Sequence, residues 1–84
     1  MLLIEKLNNE LSLLNREATI IIVINDNNLI VNRKNDIIKV SLNDTSIELK
    51  NLIDDVEFIA DEIYAFLYDK IENIDDIESI YINN

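Results

Sequence analysis

The chain contains no cysteine, no histidine, no glycine and no proline. Without cysteine there is no disulfide framework, no thiolate nucleophile and no zinc-finger spacing. Without histidine the commonest general base and transition-metal ligand is missing. Ser12, Ser41, Ser46 and Ser79 therefore have no imidazole to activate them. Carboxylate pairs remain as acid–base candidates, but among seventeen acids some pair always lies close, so they carry no signal. The expectation is a chain that is not an enzyme and holds no cofactor. Long apolar runs are missing too. The longest is Ile20-Ile21-Ile22-Val23-Ile24, far short of a bilayer span. At the start, Met1-Leu2-Leu3-Ile4 meets Glu5 at once, unlike a signal peptide. A cytoplasmic protein with no membrane partner is expected.

The lack of glycine and proline shapes the backbone. Every left-handed turn position must fall to asparagine or aspartate, the residues that tolerate it best after glycine. What the chain does have is isoleucine, and about half of its residues are apolar (49%), which argues against disorder despite the charge. Eighty-four residues make one small domain, 1–84, with a modest core. The apolar surplus over so small a core makes a homodimer or a bound partner an open expectation.

Charge is unevenly spread. Residues 1–43 balance Glu5, Glu10, Glu17, Asp26 and Asp36 against Lys6, Arg16, Arg33, Lys34 and Lys39. Residues 44–84 set Asp44, Glu48, Asp54, Asp55, Glu57, Asp61, Glu62, Asp69, Glu72, Asp75, Asp76 and Glu78 against only Lys50 and Lys70. The whole formal charge of −10 therefore lies in the second half. Such a field attracts cationic surfaces and repels nucleic acid and anionic lipid.

The periodicities predict an α+β fold. Ile4, Leu7, Leu11 and Leu14 share one face of an amphipathic helix over 2–16. A β-branched strand follows over 18–25, apolar on both faces and so expected to be central and covered on both sides. Asn25–Asn28 is a turn, Leu29–Arg33 a strand, Lys34–Asp36 a turn and Ile37–Leu42 a strand, which completes a three-stranded antiparallel meander. The basic set Arg33, Lys34 and Lys39 is too small to bind nucleic acid directly and reads as a solubilising hairpin that blunts a sheet edge.

Thr45-x-x-Glu48 matches a capping box and predicts a long acidic C-terminal helix over 46–72. Its core stripe is Leu49, Leu52, Ile53, Val56, Ile59, Ala60, Ile63, Leu67, Ile71 and Ile74. A helix of that length would run roughly 40 Å, longer than the domain, so it overhangs the sheet or breaks near Asn51 to Asp55. The tail reads two ways. A helical period links Ile71, Ile74, Ile77 and Tyr81, whereas alternation over 78–82 suits a short fourth strand beside 18–25, the favoured alternative.

Opposite Val56 on the helical wheel lie Asp54, Phe58, Asp61, Glu62, Tyr68, Asp69 and Glu72, the candidate partner-binding residues. Rows of carboxylates on a rigid helix can occupy sites built for phosphate, because arginine and lysine clusters pair with either anion. Aromatics in the stripe can stack on arginine or fill an apolar notch. A solvated outer face is the plainer alternative, but such faces normally mix charge signs. The Asp75-Asp76-x-Glu78 run has neither the spacing nor the glycine of an EF-hand loop, so no metal site is expected.

In size, charge and element order the chain resembles the small acidic phage-encoded anti-CRISPR proteins that inhibit Cas9. That resemblance covers helix 2–16, strands 18–42 and acidic helix 46–72, with no shared motif, so it transfers no site residue. It implies a DNA-mimicking inhibitor of a CRISPR effector nuclease, acting in the cytoplasm of a bacterial host cell. Bacterial toxin immunity proteins and antitoxins, which neutralise basic toxins by the same electrostatics, are the alternative. A structural homo-oligomeric module is a third.

Overall fold

The computed structural model describes residues 2–12, 17–50 and 56–83. In chain order the elements are α1 (Leu3–Leu11), β1 (Glu17–Ile24), β2 (Asn27–Lys34), β3 (Ile37–Leu42), β4 (Thr45–Lys50), α2 (Val56–Tyr68) and β5 (Ile77–Asn83). The strands form one antiparallel five-stranded sheet in the order β4-β3-β2-β1-β5. Both helices lie on one face of it and pack on each other. The described residues share a single hydrophobic core, and no helix among them is long and apolar enough to cross a membrane.

The meander forms where the alternation places it. Ala18, Ile20, Ile22 and Ile24 of β1 face the helices with Leu29 and Val31 of β2 and Ile38, Val40 and Leu42 of β3. Each hairpin turns on asparagine or aspartate. Asn25 and Asp26 have φ of 46° and 66°, Asn35 has 56° and Asn43 has 53°. Asn73, in the turn after α2, has 54°. These are the described non-glycine residues with positive φ, and none is any other residue type. The reason is steric: a short side chain that hydrogen-bonds locally best tolerates the left-handed region. Asn27 Nδ2 donates to the Asn25 carbonyl at 2.9 Å and so braces the first turn.

Three expectations change in the first half. Strand β1 is flanked by β2 and β5, but helices cover only one of its faces; Ile21 and Val23 are half-buried on the other. The doubly apolar run is thus not doubly covered. Hairpin β2–β3 lies inside the sheet, so Arg33, Lys34 and Lys39 blunt no edge. Helix α1 ends at Leu11 with Ser12 as its C-cap, the Ser12 Oγ donating to the Asn9 carbonyl at 2.8 Å. The buried stripe of α1 is Leu3, Leu7 and Leu11, with Ile4 on its flank. Leu14 lies outside the described residues.

The second half departs most. Thr45–Lys50 is a strand, not the start of a helix. It pairs with β3 in the register Val40↔Ile47 and Ile38↔Leu49, which brings Ile47 and Leu49 against the core. The full ladder with β3 and the burial of Ile47 and Leu49 together outweigh a local capping signal worth about 1 kcal/mol. The long acidic helix is therefore replaced by β4 and the much shorter α2. A helix of this length measures about 20 Å, which fits within a molecule 30 × 21 × 20 Å across. Leu52, Ile53 and the expected break at 51–55 lie outside the described residues. Within α2 the stripe holds: Ile59, Ala60, Ile63 and Leu67 are buried, with Phe66 added to them. Ile71 and Ile74 follow on past the helix end. The tail is a strand, and β5 pairs with β1 as the alternation over 78–82 suggests, in the register Ile20↔Ile82 and Ile22↔Ile80.

Candidate functional site

Helix α2 turns its buried stripe to the sheet, so its outer face is what remains for a partner. That face carries Glu57, Phe58, Asp61, Glu62, Ala65 and Tyr68, all exposed, and no base. Phe58 is 44% and Tyr68 68% exposed, which sets two aromatic rings among the carboxylates. Two exposed rings among carboxylates of one sign give this face both apolar area and negative charge.

The expected residues do not all fall on one helix. Phe58, Asp61, Glu62 and Tyr68 share α2. Asp69 and Glu72 follow its end, in the turns that lead to β5, so the helical row that would have joined Glu62 to Asp69 and Glu72 is broken. Asp54 lies outside the described residues. Lys70 caps the C-terminal end of α2. The Lys70 ammonium donates to the Phe66 carbonyl at 3.0 Å and lies 4.5 Å from the Phe66 ring centroid. A cation there meets the negative end of the helix dipole and an aromatic face together. Lys70 and Ile71 both direct their backbone N–H groups to the Leu67 carbonyl.

Some acids that composition alone counts as partner-facing are spent inside the molecule. Leu3 N–H, at the start of α1, donates to Asp75 Oδ1 at 2.9 Å. Leu2, at the cap position, has no side chain to do this, so a residue 72 positions away supplies the cap. Glu78 Oε1 accepts from the Asp26 N–H at 3.3 Å. The Asn25 side-chain amide donates to the Glu72 carbonyl at 3.0 Å, and the Asn25 N–H to the Asp76 carbonyl at 3.2 Å. The segment 72–78 therefore ties the β1–β2 turn to the N-terminus of α1.

One consequence is a molecule with an acidic end. Asp26, Asp44, Glu72, Asp75, Asp76 and Glu78 gather where the β1–β2 and β3–β4 turns meet the chain leaving α2. Arg33, Lys34, Lys39 and Lys50 lie toward the opposite end, mixed with Glu17, Asp36 and Glu48. Next to the acidic end, Leu2, Ile4, Asp61, Tyr64 and Asp75 line a shallow groove of about 270 Å³ between the helices. Tyr64 stands one helical turn before Tyr68, ring centroids 6.3 Å apart. Tyr64 and Glu57 were absent from the expected partner-binding set, and Asp75 was weighed only as part of an acidic run. The i, i+4 spacing of Tyr64 and Tyr68 was a visible signal, whereas nothing in the sequence places Asp75 beside Leu3. No protein-family model, curated protein or solved structure matches this chain.

Proposed function

We propose that the chain is a non-enzymatic inhibitor that presents the outer face of α2 as a phosphate mimic to a basic nucleic-acid-binding site of a partner protein, a CRISPR effector nuclease in the leading case. The observation that carries this reading is the outer face of α2: Glu57, Asp61 and Glu62 with no base, and exposed Phe58 and Tyr68 set among them. Asp69 and Glu72 extend the negative surface past the helix end. Carboxylates pair with arginine and lysine clusters as phosphates do, and the rings supply the apolar contact that phosphate alone lacks. A net charge of −10 steers such an encounter and makes its rate depend on salt.

The test is binding to a Cas9-type effector loaded with guide RNA, with and without its target duplex, at low and high salt. Competition with the duplex is expected, with affinity falling as salt rises. The triple reversal Asp61→Lys, Glu62→Lys and Asp69→Lys should weaken binding at least about tenfold while the far-ultraviolet spectrum stays unchanged, since exposed charges contribute little to folding. Affinity that survives the reversal removes this face as the interface. Binding confined to a basic toxin nuclease would instead make the chain an immunity protein or antitoxin using the same face.

A further inference from the structure

The two edges of the sheet are built differently. Edge strand β4 carries Thr45, Ser46, Glu48 and Lys50, and the Lys50 ammonium lies 3.9 Å from the Glu48 carboxylate. Charges of both signs on an edge discourage further pairing. Edge strand β5 carries Ser79-Ile80-Tyr81-Ile82-Asn83, five consecutive residues without charge or proline. Tyr81 is 63% and Ile82 45% exposed. Among the described residues no strand lies beyond β5, so its outer side presents main-chain donors and acceptors that the sheet does not use.

We propose that a second copy of this chain covers that edge, with β5 pairing antiparallel to β5 about a two-fold axis at Tyr81. The occupant follows from self-complementarity. With the axis at Tyr81, Tyr81 meets Tyr81, Ile80 of each copy lies opposite Ile82 of the other, and Ser79 lies opposite Asn83. Like chemistry faces like at each of these positions, and Glu78 falls outside the paired stretch. Moving the axis to Ile80 sets Glu78 against Ile82, and moving it to Ser79 sets Glu78 against Ile80. Each of these shifts moves the pairing by an even number of residues, keeps every side chain on its face and sets a carboxylate opposite isoleucine, so the pattern favours the register centred on Tyr81. Ile80 and Ile82 pair with Ile22 and Ile20 of β1, so their sheet face is the helix-covered one and the joint would continue the core. On the open face, Tyr81 adjoins Ile21, and Ile21 adjoins Ile30, so the apolar row would run on across the axis. Antiparallel pairing also sends the two acidic ends to opposite ends of the joint sheet, where parallel pairing would bring them side by side.

Two copies of charge −10 still repel, so added salt should tighten this dimer, the reverse of its effect on the inhibitor–target contact. The two interactions can therefore fail separately. A chain without cysteine allows a clean test by single-cysteine cross-linking. Residues opposite each other across an antiparallel pair have Cα atoms about 4.5–5.5 Å apart, inside the span a disulfide bridges. Under mild oxidation Tyr81→Cys should convert largely to a covalent dimer at micromolar concentration, and Ser46→Cys on the other edge should not. Sedimentation of the unaltered chain should show a concentration-dependent dimer that strengthens in salt. The double variant Tyr81→Lys and Ile82→Lys should dissociate it at least tenfold more readily. A chain that stays monomeric at about 100 μM, where a contact of micromolar Kd would be mostly dimeric, overturns the proposal. So does a dimer untouched by the lysine pair, or Ser46→Cys linking as fast as Tyr81→Cys. If the lysine variant fails to fold, the cysteine comparison decides alone.

Discussion

Residues 17–42 and residues 45–83 are held in place by different kinds of contact. The first stretch is a meander in which each strand pairs with the next across a turn of two residues, Asn25-Asp26 and Asn35-Asp36. Its partners are near in sequence and its turn chemistry is local. The second stretch begins with one more such hairpin and then changes character. Helix α2 is held by apolar burial against strands far away in sequence, β5 returns to pair with β1, and the segment between them fastens to Leu3, Asn25 and Asp26. The comparison teaches that the acids of this chain fall into two groups. Asp75 and Glu78 accept hydrogen bonds within the fold, whereas Glu57, Asp61 and Glu62 face outward.

The largest effect is expected from loosening the second stretch and asking whether the first survives. Leu67 is fully buried where α2 meets the core. Leu67→Ala should cost about 2–5 kcal/mol by loss of burial plus the cavity left behind. Urea unfolding followed by circular dichroism should still show one transition, because α1, α2 and the meander share one core and the meander loses much of its cover when α2 loosens. Two separated transitions would mean that residues 17–42 fold alone and that the second stretch merely docks.

A smaller effect tests the division among the acids. Asp75→Ala removes the cap of α1 and should cost roughly 0.5–2 kcal/mol. Glu57→Ala, on the outer face of α2, should stay within about 0.5 kcal/mol. Equal costs, read as equal shifts of the urea midpoint, would erase the distinction between fastening and outward-facing carboxylates. The smallest effect belongs to the local turns. Asn43 has φ of 53°. Asn43→Gly should change stability by less than about 0.5 kcal/mol, since relief of the left-handed cost offsets the added freedom of the unfolded chain. A loss well beyond that would show that the Asn43 side chain, which donates to Asn27 Oδ1 at 3.3 Å, carries more of the turn than its backbone does.

Most of the meander was legible because period-two alternation and asparagine turns act over a few residues. The buried stripe of α2 was legible for the same reason, since Ile59, Ile63 and Leu67 repeat at helical spacing. The wheel set Phe58 and Tyr68 off the core face, but only the packed structure decided that α1 does not bury them. Thr45–Lys50 was misread because two local signals overlap there. Leu49 fits a helical stripe continued from Val56, while Ile47 and Leu49 also alternate with Ser46, Glu48 and Lys50. Only the waiting edge of β3 decides between them. The candidate surface was legible in its charge and rings but not in its extent, because α2 ends at Tyr68 and Asp69 and Glu72 fall in the turns beyond it.

By itself, then, the amino-acid sequence determined the α+β class, the asparagine-built turns, the apolar face of α2 and the concentration of charge in the second half. These rest on side-chain periodicity, steric tolerance at single residues and simple charge count, none of which needs a distant partner. Tertiary structure alone decided that 45–50 is a strand, that among the described residues helices cover only one face of β1, that Asp75 caps α1, and that β5 rather than β2–β3 forms an edge. Each of those depends on which surfaces meet, and burial and hydrogen-bond partners exist only once the chain has closed on itself.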